Sequence, residues 1–257
     1  MARLVLIFIT LMFGATVTRA EDAALRAFRT GDDSRGWEAV GRLDIGKTGF
    51  CTGALIAPDL VLTAAHCLHN KADGSRIALT SLEFRADWRN GRAAAYRQIK
   101  RAVTHPKYNY AATKTSERVR YDIALLQLYH PVNTTSVLPF ETGNRVLKGD
   151  HVGIVSYALE RAENPSFQDV CDVLGRQQGI YVMSCDVSFG SSGAPIFSFE
   201  NGQAKIVSVV SAMARSDGKP VALGVSLETS LKVLRAELAR VSATKRATSA
   251  KFIKANQ

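Results

Sequence analysis

An all-β fold, arranged as a sandwich or as barrels and closed by one helix, is what this sequence predicts. Short apolar runs recur along the chain and are broken by turn-forming residues. Only the last apolar stretch steps by threes and fours, as a helix face does. With 46% hydrophobic residues among 257, the chain can bury a sizeable core, as one large or two small domains.

Residues 1–20 read as an export signal: Arg3, an apolar run from Leu4 to Ala15, then Thr18-Arg-Ala20 with small residues at −3 and −1, so cleavage is expected after Ala20. The apolar run, about 12 residues, is short of the roughly 20 that span a bilayer, and no later stretch is a transmembrane segment. An ambiguous stretch, 21–35, is a propeptide or an N-terminal arm. Strands are then expected at 39–45, 50–56, 60–63, 77–84, 96–103, 123–128, 152–158, 179–185, 194–199, 205–212 and 221–227. The stretch 130–150, with Pro131, Asn133, Gly143 and Asn144, has the composition of a linker between halves. A helix is expected over 229–242, where Leu231, Leu234, Leu238 and Val241 share a face and Thr229 or Ser230 would cap it.

Loss of the signal removes Arg3 and Arg19 from 33 basic residues against 23 acidic ones, leaving 31 and a net charge of +8. Part of the excess, Lys245, Arg246, Lys251 and Lys254, falls in a basic tail, 243–257. The tail reads as a solvated segment with at most weak contact to anionic surfaces. No helix-turn-helix, zinc-finger or RNA-binding pattern accompanies the charge, so no nucleic acid partner is expected. Cys51, Cys67, Cys171 and Cys185 are an even set without CxxC spacing, which in an exported chain favours disulfides over metal or redox chemistry. Of three pairings, the local Cys51–Cys67 and Cys171–Cys185 each close a short loop between expected strands. NTT, 133–135, is a glycosylation acceptor only in a eukaryotic secretory route.

Three stretches carry chemistry. FGSSGAP, 189–195, sets Ser192 between glycines that would let its hydroxyl and nearby N–H groups approach a ligand. LTAAHC, 62–67, ends a strand in two alanines before His66, small residues that would leave room around the ring. YDIALLQL, 121–128, opens a strongly apolar strand with Asp122, a carboxylate that must find a donor if buried. Taken singly, each has a commoner structural reading as a turn, an exposed histidine or a strand cap.

In the order His, Asp, Ser the chain resembles the chymotrypsin-like serine peptidases, and among them the bacterial, glutamyl-endopeptidase-like branch. The matching motifs are CTGALIAPDLVLTAAHC (51–67), YDIALLQL (121–128) and CDVSFGSSGAPIF (185–197), with a weaker one in KIVSVVSAM (205–213), across roughly 31 to 240. The resemblance implies two six-stranded antiparallel β-barrels, 36–135 and 136–228, with the C-terminal helix and a site in the cleft between them. It implies hydrolysis of a protein or peptide substrate through an acyl-enzyme, without metal or organic cofactor, by an exported or periplasmic monomer. Ser192 would be the nucleophile and His66 its base, since an imidazole with an ordinary pKa near 6.5 suits proton transfer at neutral pH. Asp122 would orient His66, and Ser211 would support Asp122. The N–H groups of Gly190 and Ser192 would form the oxyanion hole, Gly193 would leave space for substrate, and the backbone near Ser211 would pair with substrate as an added strand.

Departures from the family matter too. Ser191 stands where digestive members carry an aspartate that pairs with a new N-terminus, and no IVGG-type start exists, which argues against that activation route. GDDSR, 31–35, resembles the start of the mature bacterial fold, which leaves trimming of 21–35 open. Val210 and Val187 occupy the places of the histidine and hydroxyl residue of glutamyl endopeptidases, so glutamate specificity is not supported. Asp186, six residues before Ser192, has the offset of the carboxylate that binds basic side chains, yet with Val187, Val210 and Met213 the pocket reads equally as apolar. A catalytically silent binding homologue and a non-proteolytic esterase are the alternative functions.

Overall fold

The computed structural model describes residues 24–255, and side chains from 24 to 244. The expected export signal, 1–20, lies outside the described residues, as do the side chains of the basic tail beyond 244. Strand β1 (Arg26–Ala27) is followed by β2 (Val40–Ile45), β3 (Gly49–Ala57), β4 (Leu60–Thr63), β5 (Leu82–Ala86), β6 (Ala95–Thr104), helix α1 (Thr115–Arg120) and β7 (Ala124–Leu128). Then come β8 (His151–Ala158), β9 (Arg161–Gln177), β10 (Ile180–Met183), β11 (Pro195–Glu200), β12 (Gln203–Ser216), β13 (Lys219–Ser226) and helix α2 (Leu227–Ala255).

Strands β2 to β7 close into a six-stranded antiparallel barrel in the order β2-β3-β4-β7-β6-β5. In the second sheet β8 pairs with both β11 and β9, so β9-β10-β13-β12-β11-β8 return on themselves as a second six-stranded ring, to which β1 adds along β9. Strands between the barrels are buried on both sides, because successive side chains of a strand point to opposite faces. In β4, Leu60 and Leu62 join the apolar layer between barrels while Val61 enters the first barrel. In β7, Leu125 faces that layer, and Ala124 and Leu126 the barrel interior. The continuous apolar runs of these two strands follow from that double burial.

Several expectations need correction. Strand β9 was not foreseen: Asn164, Pro165 and five charged residues break its apolar pattern, and pairing with β8, β10 and β1 supplies what the pattern lacks. The run 77–84 is a strand only from Leu82, since Leu79–Ser81 forms a 3-10 turn. The C-terminal helix is not alone, because α1 precedes β7. Helix α2 begins at Leu227 and runs to Ala255, past the expected 229–242, so Thr229 and Ser230 lie inside it and cap nothing. Leu231 and Leu234 are buried against the interbarrel layer, with Leu238 and Val241 packed on its edge. The ambiguous stretch 21–35 is, where described, an arm docked on the second barrel: Phe28 is fully buried beside Phe167, and its N–H donates to Pro165 O at 2.9 Å.

Candidate active site

Each piece of the site is placed by a short local device. A 3-10 turn, Ala65–Leu68, follows β4 and carries His66 out of the barrel wall. The disulfide Cys51–Cys67 ties that turn to β3, and Cys171–Cys185 ties β9 to the approach to Ser192. Ala64 and Ala65 are buried in the first-barrel core, so their small size serves packing and not access to the imidazole.

Asp122 ends the segment after α1 and is 2% exposed. Its Oδ1 accepts from His66 N at 2.8 Å and its Oδ2 lies 2.6 Å from His66 Nδ1. Ser211 Oγ, from the second barrel, donates to the same Oδ2 at 2.5 Å. The register of β12 on β13 slips between Val210 and Ala212, leaving Ser211 as the extra residue of a bulge, and bulges re-aim side chains. With Nδ1 bound to a carboxylate, the other ring nitrogen of His66 is the one left for a reacting group. His66 and Ser192 line the same two cavities, and Asp122 lines the smaller of them.

The turn bearing Ser192 is held from the opposite barrel. Thr52 N donates to Ser192 O at 2.8 Å, and Thr52 Oγ1 donates to Gly190 O at 2.9 Å. That hydroxyl accepts in turn from Tyr157 N at 3.1 Å, so the rotor has one orientation that satisfies both neighbours. Thr52 is fully buried, and it is a residue the sequence reading overlooked. Gly190 has φ 104°, and a side chain there would strike the Phe50 ring. Gly193 has φ 79°, and a Cβ there would land on Thr63 Oγ1 and Thr52 O. The expectation that Gly193 clears space for substrate is therefore corrected: the space it clears is filled by the first barrel. Ser191 is buried, its hydroxyl donating to Tyr157 O at 3.1 Å and accepting from Ser188 N at 3.3 Å, so neutral hydroxyl bonds hold the turn.

Two cavities flank Ser192. One, about 250 Å³, is lined by Val187, Ser188, Val210, Ser211, Ala212 and Met213, with Lys71, Tyr110 and Arg118 at its rim. Asp186 does not line it; that residue is exposed, and its N–H donates to Gln168 Oε1 at 2.8 Å. The carboxylate expected to face a basic guest thus sits outside the pocket, and the cations Lys71 and Arg118, absent from the sequence reading, stand at it instead. Only the fold brings their distant segments to the cleft. The other cavity, about 520 Å³, is walled by the 45–51 hairpin, the Cys51–Cys67 disulfide, 69–71 and 75–77. Cys51, Cys67 and His66 put their ligand atoms within 4.8 Å of one another, but sulfurs joined in a disulfide offer no thiolate to a metal.

Comparison with known proteins bears on the family and the fold. The profile of the family described as Trypsin matches residues 30–230. Glutamyl endopeptidase of Bacillus licheniformis is 25% identical over 150 residues, 58% of this chain and 45% of that protein. Trypsin of Simulium vittatum is 30% identical over 182 residues, 59% of this chain and 68% of that one. This chain thus spans under half the length of the Bacillus relative and about two thirds of the fly one. A solved Glu endopeptidase in complex with MPD shares the fold at TM-score 0.68 and 18% identity, covering 86% of this chain and 98% of that one. The chain belongs to the trypsin family.

Proposed function

We propose that this trypsin-family protein is an exported serine endopeptidase that cuts peptide bonds through an acyl-enzyme. The observation that carries the reading is Asp122, buried and bonded through both oxygens to His66 and Ser211, with His66 and Ser192 opening on the same cleft. Such a carboxylate holds the imidazole in the tautomer that can accept a proton at its far nitrogen.

His66 takes the Ser192 proton as Oγ attacks the scissile carbonyl, and the resulting oxyanion is met by the N–H groups of Gly190 and Ser192. Thr52 supports that assignment, because its hydroxyl holds Gly190 O, in the peptide between the two proposed donors, from the first barrel. The imidazolium, stabilised by Asp122, protonates the leaving amine, and the C–N bond breaks. Water then enters, gives its proton to His66 and attacks the ester, after which Ser192 recovers its proton and the acid product leaves. β11 pairs with β12 no further than Val209, so Ala212 and Met213 have β13 on one side and an open edge on the other, suited to an added substrate strand. Disulfides at both approaches to the site and the expected signal support export.

The test is labelling by a fluorophosphonate together with Ser192→Ala, His66→Ala and Asp122→Asn. Expected are labelling at Ser192, a loss of about 10⁴-fold or more in kcat for each variant, and a Ser192/His66 double variant little worse than either single. Absence of label on a folded native protein would favour a silent binding homologue, and full hydrolysis by Ser192→Ala would overturn the mechanism.

A further inference from the structure

The larger of the two cavities shares His66, Lys71 and Ser192 with the smaller one but is lined by neither Ala212 nor Met213, so on the peptidase reading it is the part of the cleft left for the half of the substrate beyond the acyl segment. With the carbonyl at the Gly190 and Ser192 amides and the acyl segment along β12, the chain beyond the scissile bond enters this cavity. Its lining contains Lys47, Lys71 and Arg76 and no carboxylate. Among the described residues none of these three, nor Arg118 across the cleft, takes part in an ion pair. Arg76 donates to Ala102 O at 3.1 Å, which steadies its guanidinium without neutralising it, and Lys71 sits 5.6 Å over the Phe189 ring. His69, also in the wall, is held below the ordinary imidazole range by burial, so the positive charge here comes from the lysines and the arginine. Asp122 is the one carboxylate lining either cavity, and its oxygens are already committed to His66 and Ser211. Asp73, two residues before Ser75, is turned to Ser75 N and Oγ and lines a neighbouring hollow that shares His69 and Lys71 with this wall but not Lys47 or Arg76.

We infer that the leaving-group side of the cleft selects acidic polypeptide: substrates with Glu or Asp in the first positions after the cleaved bond, read by Lys47, Lys71 and Arg76. The inference rests on the peptidase reading and deepens it by naming a substrate class. Unpaired cations around a concave wall raise the local concentration of an anionic segment, and the net charge of the mature chain has the same sign. Because these side chains are exposed, the preference is salt-sensitive and moderate at each contact.

The experiment uses the native protein and peptides identical up to the cleaved bond but carrying Glu-Glu, Gln-Gln or Lys-Lys after it. Expected is a kcat/KM order of Glu, Gln, Lys, with about a tenfold span at low salt that shrinks at about 0.5 M, where charges are screened within a few ångströms. The double variant Lys47→Gln/Arg76→Gln should lose most of that span. Equal rates for the three peptides, or a span unchanged in the double variant, would overturn the inference and leave the peptidase reading intact. If native protein cleaves none of them, the peptidase reading fails, and the inference is decided by fluorescence anisotropy on Ser192→Ala. There the Glu-Glu peptide must bind several-fold tighter than the Gln-Gln peptide, and the added Lys47→Gln/Arg76→Gln changes must remove the difference; equal binding overturns it.

Discussion

The two barrels hold their parts of the site by the same device, used in opposite directions and with different reserve. Asp122 of the first barrel receives a hydroxyl from the second, Ser211, while Gly190 of the second receives a hydroxyl from the first, Thr52. Asp122 has two further bonds from His66 within its own barrel, so Ser211 is one of three donors. The Gly190 carbonyl has the Thr52 hydroxyl, and the Ser192 turn meets the first barrel through backbone contacts that tolerate no side chain at Gly193. The placement of His66 and Asp122, the proposed base and its carboxylate, is thus largely a property of one barrel, whereas that of Ser192, the proposed nucleophile, is a property of the interface. This arrangement couples barrel docking to the position of the Ser192 turn.

Gly193→Ala should break that comparison most severely. A methyl group directed at Thr63 Oγ1 and Thr52 O, at a residue with φ 79°, cannot be absorbed without moving the turn away from the first barrel. The expected cost is roughly 2–5 kcal/mol of stability together with loss of hydrolysis, read by thermal unfolding and by fluorophosphonate labelling. Native-like stability with full labelling would show that the interface does not position the turn.

Exchanging the two hydroxyls sharpens the contrast. Thr52→Val leaves both Gly190 O and Tyr157 N without their buried partner, so kcat should fall about tenfold or more with KM little changed, and Thr52→Ser should restore it. Ser211→Ala should cost less, a few-fold, because His66 keeps Asp122 in place. A larger loss for Ser211→Ala would reverse the assignment of reserve to the first barrel.

The smallest expected effect is a titration. Burial holds the imidazoles of His69 and His105 below the ordinary range, with the charges of Arg76 and Lys107 acting the same way. A depressed folded value means the unfolded chain binds these protons first, so their contribution to stability is present above about pH 6.5 and lost as pH falls through the folded values. Denaturant midpoints should therefore decline from pH 7 to 5, and replacing either histidine by Gln should flatten the decline; an unchanged slope would refute the assignment.

What could be read from the sequence divides along the same lines. His66, Asp122 and Ser192 stood out only as a set, through the family resemblance of their three motifs in order, and the two disulfides because local pairings close short loops between expected strands. The core strands were legible where double burial makes an unbroken apolar run, as in β4 and β7. Strand β9, the docking of the N-terminal arm through Phe28 and helix α1 were not, because their burial comes from partners far along the chain and leaves no periodic trace.

Residue identity and spacing by themselves determined the chemistry this protein can offer: a hydroxyl, an imidazole, a carboxylate and two cross-links. Only the tertiary structure decided what surrounds it. Asp186 lies outside the lining of the pocket while Lys47, Lys71, Arg76 and Arg118 stand around the cleft, and Gly193 is required by the neighbouring barrel. Spacing along a chain constrains local contacts, but the direction of a side chain and the company it keeps across an interface are set by sheet closure and barrel docking, which bring together segments that carry no signal of one another.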